Sequence, residues 1–117
     1  VDDSAMDRRL AGGILEKAND CAVYYAVNGI DALSKIELHV PDLVLTDMQM
    51  PEMDGLQLVQ EVRKRYPLLP VVLMTAQGSE EIAVTALEVG AASYVPKRDM
   101  AKELIEIVER VLMASSK

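Results

Sequence analysis

Four places along the chain carry residue types that phosphate chemistry uses: the pair Asp2-Asp3, the acid Asp47, the hydroxyl of Thr75 with Ala76 beside it, and Lys97. Two carboxylates about 4 Å apart repel by roughly 4 kcal/mol at an effective dielectric near 20. Asp2, Asp3 and Asp47, if brought together, therefore raise one another's pKa or recruit a cation. Oxygen ligands without His or Cys select a hard ion, and few carboxylates with room left for waters and a phosphate favour Mg2+ over a dedicated calcium cage. Magnesium beside a carboxylate, an ammonium and a hydroxyl is equipment for phosphoryl transfer, which mainly needs charge neutralisation and in-line positioning. The carboxylate can itself be the nucleophile. Asp47 is the candidate for that role, with Lys97 neutralising one phosphoryl oxygen and the Thr75 hydroxyl donating to another. Each residue also has a plainer reading. Asp-Asp at a helix start complements the helix dipole, a lysine in a loop is usually solvated, and a threonine ending a strand is usually bland. What carries weight is their joint placement by the elements that hold them.

Those elements alternate. Ser4 followed by Asp7 reads as a capping box, and Leu10, Ala11, Ile14, Leu15 and Ala18 recur at helical spacing, giving a first helix over roughly 4–18. Cys21 to Ala26 reads as a short strand, Asn28-Gly29 as a turn, and Ile30, Leu33 and Ile36 as one face of a helix that stops before Pro41. Leu43 to Thr46 is an apolar strand. Leu56, Val59, Val62 and Arg63 mark a helix ending near Tyr66-Pro67, and Val71 to Met74 is a strand buried on both faces. Glu80 to Val89 is helical up to Gly90, Ser93 to Val95 is a strand, and Leu104, Ile105, Val108, Val111 and Leu112 form the stripe of a last helix.

Strands alternating with helices of this length imply parallel pairing through right-handed crossovers, with helices on both faces. The expected class is α/β: a doubly wound, flavodoxin-like sheet of five parallel strands in the order 2-1-3-4-5. Its first strand is largely missing, since only Val1 precedes Asp2-Asp3. Several apolar residues are expected before Val1, and a sheet without that central member is expected to lose much of its stability. In open parallel sheets, ligands bind beyond the carboxyl ends of the strands. Asp2-Asp3, Asp47, Thr75-Ala76 and Lys97 follow four such ends, so they are expected to converge on one edge.

Bulk properties narrow the partners. The 117 residues suit a single domain, 1–117, with the tail from Ala114 being a chain end or the start of a linker to an effector domain. No apolar run approaches the roughly 20 residues of a membrane span, and the start VDDSAMDRR lacks the order of a signal peptide, so a cytoplasmic setting is expected. A formal charge of −7 without a basic stripe speaks against nucleic acid and anionic membranes and leaves protein or a cation as partner. Cys21, the single cysteine, reads as a small hydrophobe, and His39 as a surface or helix-end residue with no second ligand to share a metal.

With these residues in place, the sequence resembles the receiver domains of two-component response regulators. Asp2-Asp3, Asp47 with Met50-Pro51 and Met53-Asp54-Gly55, Met74-Thr75-Ala76, and Gly90-Ala91 followed by Tyr94 and Lys97 match that family's pattern in order and spacing over essentially the whole chain. The resemblance implies a signalling switch of the CheY-like superfamily, not a general enzyme. Asp47 would accept a phosphoryl group from a sensor histidine kinase or phosphotransfer protein, and the domain would catalyse only its own phosphorylation and dephosphorylation. It implies Mg2+ held by Asp2, Asp3, Asp47 and Gln49, with Asp3 binding directly, Asp2 largely through water and Gln49 through its backbone carbonyl. It assigns Thr75, Ala76 and Lys97 to the phosphoryl group, and Thr75 with Tyr94 to a switch read out on the fourth helix, fifth strand and fifth helix. That face would control an effector domain or protein, or pair two copies as a homodimer. The segment DMQMPEMDG then becomes the turn that returns the chain into the third helix while leaving Asp47 open.

Two departures stand out. The family usually has proline after the lysine, often with a cis bond. Here the order is Pro96-Lys97-Arg98, and a non-proline cis bond would cost roughly 2.5–4 kcal/mol, so Lys97-Arg98 is expected to be strained or trans in an altered loop. The other is the missing first strand. Phosphatases of the haloacid-dehalogenase type also use an aspartyl nucleophile on a doubly wound sheet, but they favour a second acid two residues later, where this chain has Gln49. A degenerate receiver acting only as a binding module is opposed by the retention of Asp47, Thr75 and Lys97. Gln49 and Gln77, each two residues past an active-site position, are expected to tune the phosphate lifetime through water access.

Overall fold

A computed structural model describes residues 1–19, 22–48, 50, 53–76 and 80–115. Helix α1 spans Ala5–Asn19, α2 Gly29–His39, β1 Val44–Asp47, α3 Gly55–Arg65, β2 Val71–Thr75, α4 Glu80–Glu88, β3 Ser93–Pro96 and α5 Met100–Ser115, with a 3-10 turn over Lys97–Asp99 between β3 and α5. The strands pair in parallel in the order β1-β2-β3. Buried on both faces, β2 divides the core by side-chain alternation. Val71 and Leu73 pack with Leu58, Val59 and Val62 of α3, Ile36 of α2 and Ala86 of α4. Val72 and Met74 join Val95, Ala11 of α1 and Leu104 and Val108 of α5. Helices thus cover both faces, as the doubly wound class requires.

Among the described residues the sheet has three strands, in the order expected for the third, fourth and fifth of the five-stranded arrangement. Residues 22–26 do not form the expected strand, and Cys21 lies outside the described residues. A strand is defined by its ladder, and among the described residues this segment has no full-length neighbour to pair with. Its tie toward the sheet is at its end, where the Asp2 N–H donates to the Ala26 carbonyl at 3.1 Å. Val1 occupies the place between that segment and β1. Its amino group donates to the Leu45 carbonyl at 2.5 Å and its carbonyl accepts from the Asp47 N–H at 2.7 Å, the alternation of a parallel ladder one residue long. Behind it lies a cavity of about 430 Å³ lined by apolar groups including Ala11, Leu15, Val23, Leu45 and Val108. The first helix runs Ala5–Asn19 rather than 4–18, and His39 ends α2 exposed, its ring stacked on Tyr24 at 3.8 Å.

Candidate functional site

The carboxyl ends of the strands position the site. β1 ends on Asp47, whose side chain is almost buried, and the loop after it is braced by α3. Asp54 caps that helix reciprocally: Gln57 N–H donates to Asp54 Oδ1 at 2.9 Å, and Asp54 N–H donates to Gln57 Oε1 at 3.0 Å. Gly55 follows because nothing larger fits. A Cβ there would lie 2.4 Å from the Asp47 carbonyl oxygen, and the Gly55 N–H donates to the Met48 carbonyl at 2.8 Å. The turn therefore fastens α3 directly to the end of β1.

Asp2, fully buried, stands beside Asp47 through the Val1 ladder described above. Its Oδ1 accepts the Ser4 N–H at 2.9 Å and its Oδ2 accepts Lys97 Nζ at 2.9 Å. Asp3 is exposed, yet one carboxylate oxygen from each of Asp2, Asp3 and Asp47 lies within 4.8 Å of the others, a spacing that fits a hard cation sharing water ligands. Lys97 crosses from the end of β3 to a position 3.3 Å from Asp47 Oδ1. Thr75 ends β2, 2% exposed, and its hydroxyl has no hydrogen-bond partner among the described residues. An orphaned buried hydroxyl costs desolvation that a ligand oxygen would repay. Ala76 follows it at the exposed edge. Tyr94 sits opposite Leu73 and Pro96 opposite Thr75, so Tyr94 shares a sheet face with Thr75 and packs half-buried against that core. Gln49, Pro51 and Gln77 lie outside the described residues.

Charges here are mutually dependent. Burial, then the adjacent Asp2 charge, push the Asp47 carboxyl above its ordinary pKa, against the pull of Lys97 and the Met48 N–H. For Lys97 burial disfavours the ammonium, but hydrogen bonds to Asp7 and Asp2 and the charges of Asp47 and Asp2 outweigh it and hold the pKa above the usual lysine value.

A family model for the response regulator receiver domain matches residues 1–109. The chain belongs to that family. This receiver is 37% identical over 107 residues to the DNA-binding transcriptional regulator NtrC of Escherichia coli, covering 92% of this chain and 22% of that protein. It is 32% identical over 112 residues to the chemotaxis protein CheY of Bacillus subtilis, covering 96% and 93% respectively. The chain thus spans about a fifth of the length of the NtrC relatives it matches, and nearly all of CheY. The crystal structure of the receiver domain of NtrX from Brucella abortus superposes with a TM-score of 0.90 at 35% identity, covering 96% of this chain and 94% of that one.

Within the receiver, the peptide bonds of the described residues are trans, and Lys97-Arg98 opens the 3-10 turn, one of the two outcomes expected for that departure. One participant escaped the sequence reading. Asp7, which its spacing from Ser4 marks as the second half of a capping box, does donate its N–H to Ser4 Oγ at 3.3 Å, but its carboxylate does not return to Ser4. Asp2 takes the Ser4 N–H instead, and Asp7 Oδ2 accepts Lys97 Nζ at 2.8 Å. No local signal distinguishes these roles, because the partner is 90 residues away. Among the described residues no helix is long and apolar enough to cross a membrane.

Proposed function

We propose that this receiver is a phosphorylation-activated switch whose acceptor is Asp47, supplied by a sensor histidine kinase or phosphotransfer protein. The observation that carries the reading is the Thr75 hydroxyl, buried and without a hydrogen-bond partner among the described residues, at the same sheet edge as Asp47 and Lys97. In the reaction an Asp47 carboxylate oxygen bonds to phosphorus as the P–N bond of the donor phosphohistidine breaks. The electron pair leaves with the imidazole nitrogen, which takes a proton from solvent. Oδ1 is engaged by the Met48 N–H at 2.9 Å and by Lys97, which leaves Oδ2 to attack. Lys97 and the Thr75 hydroxyl then meet phosphoryl oxygens, with Ala76 N–H beside them. Asp2, Asp3 and Asp47, with the Gln49 carbonyl, would hold Mg2+, which when bound would supply charge neutralisation for the incoming phosphoryl group.

The switch follows from the shared face. Drawing the Thr75 hydroxyl toward the phosphate vacates space on the side of the sheet where Tyr94 packs, and Tyr94 moves into it, altering the surface of α4, β3 and α5. That is a small electrostatic change biasing a bistable surface. We place the single receiver domain over 1–117, with a first strand beginning before Val1 and a linker or effector domain after 114. The output is control of that effector or of a separate protein, with homodimerisation through α4, β3 and α5, in the cytoplasm. The domain catalyses only its own phosphorylation and dephosphorylation, and Gln49 and Gln77 set the lifetime of the phosphate. Changing either glutamine to alanine or lysine is expected to change the autodephosphorylation rate, and equal rates in every variant would remove them from that role.

The deciding experiment is intact mass spectrometry after acetyl phosphate treatment, with and without Mg2+. One base-labile phosphate that requires Mg2+ and disappears in Asp47→Asn is the expected result. No adduct under any condition would leave a binding module that does not accept phosphate.

A further inference from the structure

We infer that Asp7 is a positioning residue for phosphoryl transfer: from the first turn of α1 it tethers the Lys97 ammonium over Asp47 through an ion pair that the metal-binding carboxylates do not share. This rests on the functional reading above. Lys97 Nζ has three hydrogens and three anionic neighbours: Asp7 Oδ2 at 2.8 Å, Asp2 Oδ2 at 2.9 Å and Asp47 Oδ1 at 3.3 Å. Two of these belong to the group whose oxygens converge within 4.8 Å of one another, together with Asp3, and Asp7 does not. A cation held by that group draws on Asp2 and Asp47, and Asp7 is then the one anion left to the lysine. One ammonium hydrogen stays on Asp7, and two are free for phosphoryl oxygens.

The lysine needs such an anchor. Its flexible four-carbon stem carries about 2 kcal/mol of rotamer entropy, and it leaves the end of an edge strand into a short 3-10 turn with exposed Arg98 next in sequence. Asp7, by contrast, is fixed by its own helix, through the Ser4 cap at 3.3 Å and the Arg8 guanidinium's 2.7 Å bond to the Asp2 carbonyl one residue further on. The capping-box position that would have occupied the Asp7 carboxylate is filled by Asp2, which frees Asp7 to face Lys97. Misplacing a reacting group by about 1 Å can cost up to about 100-fold in rate, and a loosened tether on one charge-neutralising group falls below that limit.

The test compares wild type, Asp7→Asn, Asp7→Ser, Asp7→Glu, Lys97→Ala and Asp7→Asn/Lys97→Ala in the full-length protein. Initial phosphorylation by acetyl phosphate at saturating Mg2+ is expected to fall about tenfold in Asp7→Asn and Asp7→Ser, to recover most of that loss in Asp7→Glu, and to fall no further when Asp7→Asn is added to Lys97→Ala. Mg2+ affinity by calorimetry should stay within about twofold of wild type, and the Lys97 ammonium proton signal in NMR of the Mg2+-saturated, unphosphorylated protein should be sharp in wild type and lost in Asp7→Asn. A wild-type rate in both neutral variants, a faster rate, an additive loss in the double variant, or a tenfold drop in Mg2+ affinity would each overturn the inference while leaving the receiver reading intact. A wild-type protein that takes up no phosphate would instead overturn that reading.

Discussion

Two short segments lie at opposite edges of this sheet, and only one of them is a strand. Residues 93–96, Ser-Tyr-Val-Pro, pair with β2 along their length, Val72 with Ser93 through Thr75 with Pro96. Residues 22–26, Ala-Val-Tyr-Tyr-Ala, have the better strand composition, yet they are extended without a ladder and reach the rest of the sheet through the Asp2-Ala26 bond. Propensity is equal or higher where the strand is absent. Pairing decides, because each unpaired edge group gains as much from water as from a partner that is not there. At the paired edge the candidate site residues Asp47, Thr75 and Lys97 inherit rigidity from β1, β2 and β3. At the other edge, among the described residues, Val1 alone lies between 22–26 and β1, beside a cavity of about 430 Å³.

The contrast can be broken most forcefully by building the neighbour. A chain that carries the first strand proposed above, ahead of Val1, is expected to pair residues 22–26 and to be more stable than one starting at Val1 by several kcal/mol, since each buried Val or Ile contributes about 1.5–3 kcal/mol. Amide exchange should slow at residues 22–26, and exchange as fast as before would refute pairing as the missing ingredient. Without the extension, truncations should separate the two regions. Leu73→Ala, in the fully buried centre of β2, is expected to cost about 3 kcal/mol in denaturant unfolding, whereas Val23→Ala beside the cavity costs about 0.5 kcal/mol. Equal losses would mean that both segments belong to one cooperative core.

A third change probes the join between the paired region and the site. Gly55→Ala puts a methyl 2.4 Å from the Asp47 carbonyl oxygen, a backbone atom that cannot swing aside, so a loss of about 2 kcal/mol and slower phosphorylation are expected together. Full activity in a destabilised variant would uncouple the turn from the acceptor. The smallest effect concerns the cost of the site itself. Asp47 has its carboxyl pKa raised by burial and by Asp2, so in the metal-free protein its ionisation weakens the fold as pH rises through that raised value, and the cost is absent below the ordinary carboxylate range. Asp47→Asn should therefore melt about 3 °C higher than wild type at neutral pH, with the gain shrinking on acidification. An unchanged midpoint at pH 7 would show that Lys97 already compensates the charge in full.

Much of this was legible in the chain. Alternating apolar runs and amphipathic stripes specify strands and helices through local periodicity, and the rule that parallel strands end at a common edge brings Asp2, Asp3, Asp47, Thr75 and Lys97 together. The glycine after Asp54 was visible as a turn residue, although the reason for it, the approach of α3 to the Asp47 carbonyl, was not. What the sequence by itself determined was the class of fold, the order of its elements and the identity of the groups at the site, because those depend on spacings of two to four residues. Only the tertiary structure decided that, among the described residues, the Thr75 hydroxyl is buried without a partner and 22–26 reach the sheet through Asp2, and that Asp7 serves Lys97 rather than Ser4. Those outcomes are settled by contacts across tens of residues, where several acids compete for one ammonium and the geometry of the packed elements selects among them.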